Sequence, residues 1–362
     1  MHGFTARELD VILTLSPLPD PLPDPTNAVA DNPAAAHLGR FLFFDRGLSP
    51  VGVSCASCHD PGKEWTDGRP ISAASGRHVP SLWNVAYQRW FFWDGRADSL
   101  GSQALQPIEH PREMGGSREE IEHRIRGDAA LAAAYQAAFG PLPAETLEST
   151  DRIFSNVGKA IAAFERKLIS RNSPFDAYVA ALRSGDKKAR RAYPRSARRG
   201  LKLFVGRAGC VLCHSGPTFS DKEFHALGAP DDREDLGRFA GIPLLLQDPF
   251  NGLGKFSDAP DGGRRLPTTS LTPSDRWKGA FKTPGLRNVA RTAPYFHRGQ
   301  FESLEQVVRF YSAGNGTTLT PLNLAESEIA DLVSFLRTLT GGPIDPDLMR
   351  APALQLTLGP GR

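Results

Sequence analysis

The sequence predicts a mainly α-helical protein made of two related halves, and three observations predict it. Apolar residues recur at helical spacing behind several capping signals, strand signals are few, and one short pattern occurs twice. The pattern opens at Gly39-Arg40-Phe41-Leu42-Phe43 and again at Gly200-Leu201-Lys202-Leu203-Phe204. Each copy leads to a Cys-x-x-Cys-His motif and then to an aromatic residue two before an Asp: Trp65, Thr66, Asp67 and Phe219, Ser220, Asp221.

The elements follow in chain order. Residues 16–36 are rich in Pro, Asp and Ala, so residues 1–34 are expected to be an extended arm. A helix is expected at Ala35–Phe44. Ser117 and Glu120 form a capping box that opens a helix towards Phe139. Ile153, Val157, Ile161, Phe164 and Leu168 form a buried helical stripe. The Arg-rich segment 187–200 reads as a solvated linker and helix start; a patch for an acidic partner is the lesser reading. Residues 226–276 read as a long ordered loop. Ser303 and Gln306 cap a helix to about Ser312, and a last amphipathic helix spans Glu326–Thr340 with Gly341 as its cap. The expected domains are 35–170 and 171–362.

Composition narrows the class. The chain has 362 residues, 40% hydrophobic and 23% charged, with a net charge of +3. That balance suits a globular protein and points to neither nucleic acid nor an anionic membrane. No apolar run has transmembrane length. The N-terminus lacks the features of a signal peptide, as expected of a mature form.

All four cysteines lie in the two motifs, Cys55-Ala56-Ser57-Cys58-His59 and Cys210-Val211-Leu212-Cys213-His214. Cys-x-x-Cys-His is the pattern of covalent haem c attachment: each thiol adds to a vinyl group and the His becomes the proximal iron ligand. Two haem c groups are therefore expected, with His59 and His214 on the irons. The alternatives are two disulfides, whose short loops would be strained and give the His no role, and a zinc site built from both clusters. Thioether attachment belongs outside the reducing cytoplasm, which indicates the bacterial periplasm.

What a haem does depends on its other face. A strong sixth ligand suits electron transfer, and an open face with acid–base groups suits peroxide chemistry. Glu113 is the candidate to move the peroxide proton, which a carboxylate in an apolar pocket can do. Gln103 would orient peroxide, Pro107 would shape the pocket, and Trp93 is an oxidisable aromatic that would relay electrons between the haems. Singly, each has a plainer reading: Glu113 on the surface, Gln103 capping a loop, Trp93 filling core.

The runs WDGRADSLGSQALQPIEHPREM and KTPGLRNVARTAPYFHRG, with both haem motifs, resemble the bacterial dihaem cytochrome c peroxidase and MauG family over residues 30–340. The resemblance implies two cytochrome c-like domains facing each other, a peroxide-reactive first haem and an electron-relaying second one. It matches Glu113, Gln103, Trp93 and Pro107 to the family's distal, interhaem and pocket positions. Peroxidases of the family place Met on the second iron and MauG-like members place Tyr there; the matching position is Tyr311, with Tyr295 as competitor. The three methionines, Met1, Met114 and Met349, lie elsewhere. His78 falls where the family carries Asn beside a structural calcium and not at the position of a blocking His, so the first haem is expected to be open. Thr292 and Pro294 would offer carbonyls to calcium, and His78 suits it poorly. Arg287 is expected on a haem propionate. His297, beside Arg298, is expected to be structural, with a proton-relay role as the lesser reading.

Three functions follow. The leading one is a MauG-like enzyme that uses hydrogen peroxide to oxidise a protein partner. The second is a cytochrome c peroxidase drawing electrons from a small cytochrome or cupredoxin. The third is a dihaem electron carrier or redox sensor.

Overall fold

The computed structural model describes residues 3–72, 75–259, 266–314 and 318–354. Its α-helices are α1 (Ala6–Thr14), α2 (Pro33–Phe44), α3 (Cys55–Cys58), α4 (Leu100–Glu109), α5 (Arg118–Gly127), α6 (Ala129–Phe139), α7 (Leu147–Glu165), α8 (Pro174–Ser184), α9 (Lys187–Ala192), α10 (Arg195–Val205), α11 (Arg238–Gln247), α12 (Leu266–Thr269), α13 (Leu304–Ala313) and α14 (Glu326–Arg337). Among the described residues the only sheet pairs β1 (Phe224–His225) with β2 (Phe281–Lys282), antiparallel. No described helix is long and apolar enough to cross a membrane.

Two hydrophobic cores divide the helices. In the first, α2 crosses α7; in the second, α10 crosses α14. The two crossings are built alike. A Cβ on Gly39 would overlap the Ala160 carbonyl, and one on Gly200 the Asp331 carbonyl, so only glycine lets these backbones meet. Phe43 packs on Phe164 with ring centroids 5.2 Å apart, and Phe204 on Phe335 at 5.0 Å.

The internal repeat reaches further than the flanks of the motifs suggest. Val79-Pro80-Ser81-Leu82-Trp83-Asn84-Val85-Ala86 corresponds to Thr283-Pro284-Gly285-Leu286-Arg287-Asn288-Val289-Ala290. Asn84 and Asn288 both take the left-handed conformation that Asn tolerates. Asn84 donates its N–H to Leu168 and accepts from the Ser170 N–H; Asn288 does the same with Leu339 and Gly341. Each turn is thereby tied to the end of its own long helix.

Several expectations change. The N-terminal arm contains α1, opened by a capping box between Thr5 and Glu8, and its Ile12 is buried in the second core. The helix expected from Ser117 to Phe139 breaks between Gly127 and Asp128, because Asp128 caps α6 through the N–H groups of Ala130 and Leu131. The described part of 226–276 contains α11 and α12. The last helix ends at Arg337 with Thr338 as its cap. The first core also takes Phe250, Phe256, Ile344 and Leu348 from beyond residue 170, so the expected boundary is crossed where the first half needs apolar cover.

Candidate active site

One chamber of about 1360 Å³ runs between the halves, larger than the roughly 300–1,000 Å³ of an ordinary ligand pocket. The cysteines and histidines of both motifs line it, together with Trp93, Gln103, Pro107, Glu113, Arg287, Thr292, Pro294, Tyr295 and Tyr311.

Both motif histidines are prepared in the same way. His59 Nδ1 lies 3.0 Å from the Trp65 carbonyl, and His214 Nδ1 lies 2.9 Å from the Phe219 carbonyl. A carbonyl only accepts, so Nδ1 carries the proton and Nε2 keeps its lone pair for a metal. Burial holds both imidazoles below the ordinary value and therefore neutral. Trp65 and Phe219 both have positive φ, a conformation bulky residues rarely adopt, and it aims their carbonyls at the rings.

The four thiols are free, so the disulfide alternative is not realised. Burial pushes the Cys210 thiol up to about 12 and raises Cys55 further. Among the described residues the only cluster of metal-binding type is Cys213, Asp221 and His225, which lies within the second half and joins nothing from the first.

The residues expected on the distal side of the first motif line the same chamber as the motif. Gln103 and Pro107 lie on α4, where Pro107 removes the N–H that would otherwise pair with the Gln103 carbonyl. The side-chain Oε1 of Gln103 is buried without a partner, an acceptor that calls for a donor in the chamber. Glu113 follows α4 in a turn where its N–H donates to the His110 carbonyl at 2.9 Å. It is close enough to help raise the Cys58 thiol, after burial and Asp67.

In the second half, Tyr311 and Tyr295 differ in one decisive respect. Tyr295 donates its hydroxyl to the Val289 carbonyl at 2.9 Å. Tyr311 lines the chamber and makes no hydrogen bond to any described residue. Burial first, then Cys210 and Cys213, push its phenol upward, so ionising it would require a nearby cation. Repeat register places Tyr311 on α13 where α4 carries Pro107. Met114 belongs to the first core and Met349 packs against it, so neither approaches the second motif; Met1 lies outside the described residues.

The halves are joined around Trp93. Its indole N–H donates to the His78 carbonyl at 2.8 Å, and its own carbonyl accepts from the Lys282 N–H at 2.9 Å. The His78 N–H donates to the His297 carbonyl at 2.8 Å, and the His297 ring stacks on Phe281 at 3.6 Å. Arg77 clamps Asp94 from the first half and Asp235 from the second. His78 gives Nδ1–H to the Arg69 carbonyl at 2.8 Å, and Thr292 and Pro294 line the same chamber. Arg287 pairs with Asp176 at 2.9 Å within the protein. Sequence reasoning passed over Glu165 and Lys282, which also line the chamber; burial of ionisable groups leaves no local sequence signal.

Two bare proximal histidines, two vinyl-reactive thiol pairs and unpartnered polar groups on the facing walls fit two covalently held haems. The fold and site thus define a dihaem c-type protein. The di-haem cytochrome c peroxidase family model matches residues 33–184. A cytochrome-c peroxidase, IdrP2 of Pseudomonas sp. (strain SCT), is 35% identical over 92% of this chain and 86% of its own length. The methylamine utilization protein MauG of Methylorubrum extorquens is 36% identical over 92% of this chain and 86% of its own. The crystal structure of the diheme peroxidase BthA from Burkholderia thailandensis superposes with a TM-score of 0.67 at 27% identity, covering 88% of this chain and 89% of that one. The chain belongs to the di-haem cytochrome c peroxidase and MauG family and is a dihaem peroxidase-type oxidoreductase with two haem c groups.

Proposed function

We propose that this protein is a MauG-like, hydrogen-peroxide-dependent oxidoreductase with two unlike haems, one in each half. His59 would hold the first, with no residue proposed as a second ligand to its iron. His214 and Tyr311 hold the second. The observation that carries this reading is the contrast between the unbonded Tyr311 hydroxyl in the chamber and the bonded hydroxyl of Tyr295. The absence of any described methionine near the second motif supports it. Covalent attachment outside a reducing compartment supports a periplasmic location.

The first haem, when bound, would supply an iron able to take up the oxidising equivalents of peroxide. The chain's own groups handle the proton. A Glu113 carboxylate oxygen takes it from one peroxide oxygen and returns it to the other, so that water can leave. Gln103 Oε1 accepts from the peroxide O–H and fixes its orientation. Pro107 keeps an N–H out of this part of α4 and shapes the wall. Trp93, bonded to both halves, lies between the two sites. The physiological reductant is a protein partner whose side chain is oxidised.

Tyr311→Phe tests the assignment. Loss of the phenolate should change the second haem's absorption and electron paramagnetic resonance signals while the first haem's remain. Unchanged signals would remove Tyr311 from the iron. A cytochrome c peroxidase role, favoured by the likeness to IdrP2, would instead show as fast peroxide-dependent oxidation of reduced cytochrome c.

A further inference from the structure

One acid in the chamber has no part in this chemistry. Glu165 ends α7, is 3% exposed, and its Oε2 has no hydrogen-bond partner. It lines the chamber on the side of the first motif and contributes, after burial, to raising the Cys55 thiol. The repeat makes it singular. Gly39 meets Ala160 as Gly200 meets Asp331, and Asn84 meets Leu168 as Asn288 meets Leu339. In that register Glu165 corresponds to Leu336, which lines the chamber in the second half. An apolar residue thus suffices at this place in one half, and a buried unpaired carboxyl occupies it in the other. Such a group is costly unless it is neutral or used.

We propose that Glu165 is the proton-holding group of the first haem, taking up a proton when that haem is reduced by one electron and releasing it on reoxidation. This rests on the first haem being attached at Cys55, Cys58 and His59. It does not depend on peroxide as oxidant or on Tyr311 as ligand. The charge balance is simple: one electron enters at the iron, one proton enters at Glu165, and the buried site gains no net charge. Burial alone pushes the carboxyl up to about 8, so the group can change state near neutral pH. No charged side chain of α2, α4 or α5, the helices packed on α7, adds to that shift. Glu165 helps to raise the Cys55 thiol, which haem attachment consumes.

The sign follows from Coulomb's law. A ferric iron favours the nearby carboxylate, and reduction removes that charge and favours the acid. The reduction equilibrium of the first haem should therefore become less favourable as pH rises, by up to about tenfold per pH unit, or 59 mV for one electron. The second haem should show no such limb assignable to Leu336.

The test is electrochemical titration of the intact dihaem protein against pH, without peroxide, following each haem by its own spectrum. In wild type the first-haem equilibrium should shift by roughly three- to tenfold per pH unit on the alkaline side of neutrality. Glu165→Gln should flatten that limb and leave the second haem unchanged. A limb that persists in Glu165→Gln overturns the proposal. If that variant fails to load haem, the reduced-minus-oxidised infrared spectrum of the Glu113→Gln protein decides. A deuterium-sensitive carboxylic acid band gained on reduction supports the proposal, and its absence overturns it. Failure of the peroxide reading would appear instead in the peroxide kinetics or the Tyr311→Phe spectra.

Discussion

A histidine that binds iron must present a bare nitrogen of the right tautomer. Here His59 and His214 each obtain this from a carbonyl held at positive φ, on Trp65 and Phe219. The motifs were legible because covalent attachment demands a fixed local spacing. The residues supplying the carbonyls were also visible, as the aromatic in each aromatic-x-Asp flank, but their role was not, because φ cannot be read from residue type. The opposite face was legible only in part. Gln103, Pro107 and Glu113 lie close in sequence and reach one wall, whereas Glu165 comes from a helix some fifty residues away and owes its state to burial. At this scale the sharpest expectation concerns Glu113. Glu113→Gln keeps shape and removes proton transfer, so stopped-flow peroxide reaction should slow by roughly a hundredfold or more. Unaltered kinetics would show that the proton is handled elsewhere.

Helices with capping boxes were read well because the cap is local: Ser117, Ser303 and their partners start α5 and α13 as expected. Helix ends were read less well. Asp128 restarts the chain as a cap, and α1 is too short for its single buried residue, Ile12, to make a pattern. The elements that organise each half are the crossings at Gly39 and Gly200, where no side chain fits. Gly39→Ala or Gly200→Ala must push two backbones apart, and each should cost about 1–3 kcal/mol in chemical denaturation. The two penalties should add, since the sites lie in separate cores. A neutral effect of either would mean that the crossing relaxes freely.

The whole molecule is held by contacts between segments distant in sequence, which is why its domain limits were only partly legible. Asp176 gathers Arg287, Ser16 and the N-terminus of α8, joining three such segments. Burial works against its charge, but Arg287 and these hydrogen bonds pull the carboxyl down to about 2. A depressed carboxyl stabilises the fold above its unfolded value and loses that contribution as pH falls through the folded value. The contribution is about 2 kcal/mol, complete above roughly pH 4 and lost towards roughly pH 2. Asp176→Asn should remove that part of the acid-unfolding profile; an unchanged profile would show that Asp176 is not linked to acid stability. The chamber is likewise a property of the whole, since Gln103 and Glu113 line it from the first half and Tyr311 from the second; the proposed function makes these two sides unlike. Electron paramagnetic resonance of the resting ferric protein addresses that asymmetry most directly. One high-spin signal from the first haem and one low-spin signal from the second, the latter altered in Tyr311→Phe, is the expected result; two low-spin haems in the resting protein would contradict it.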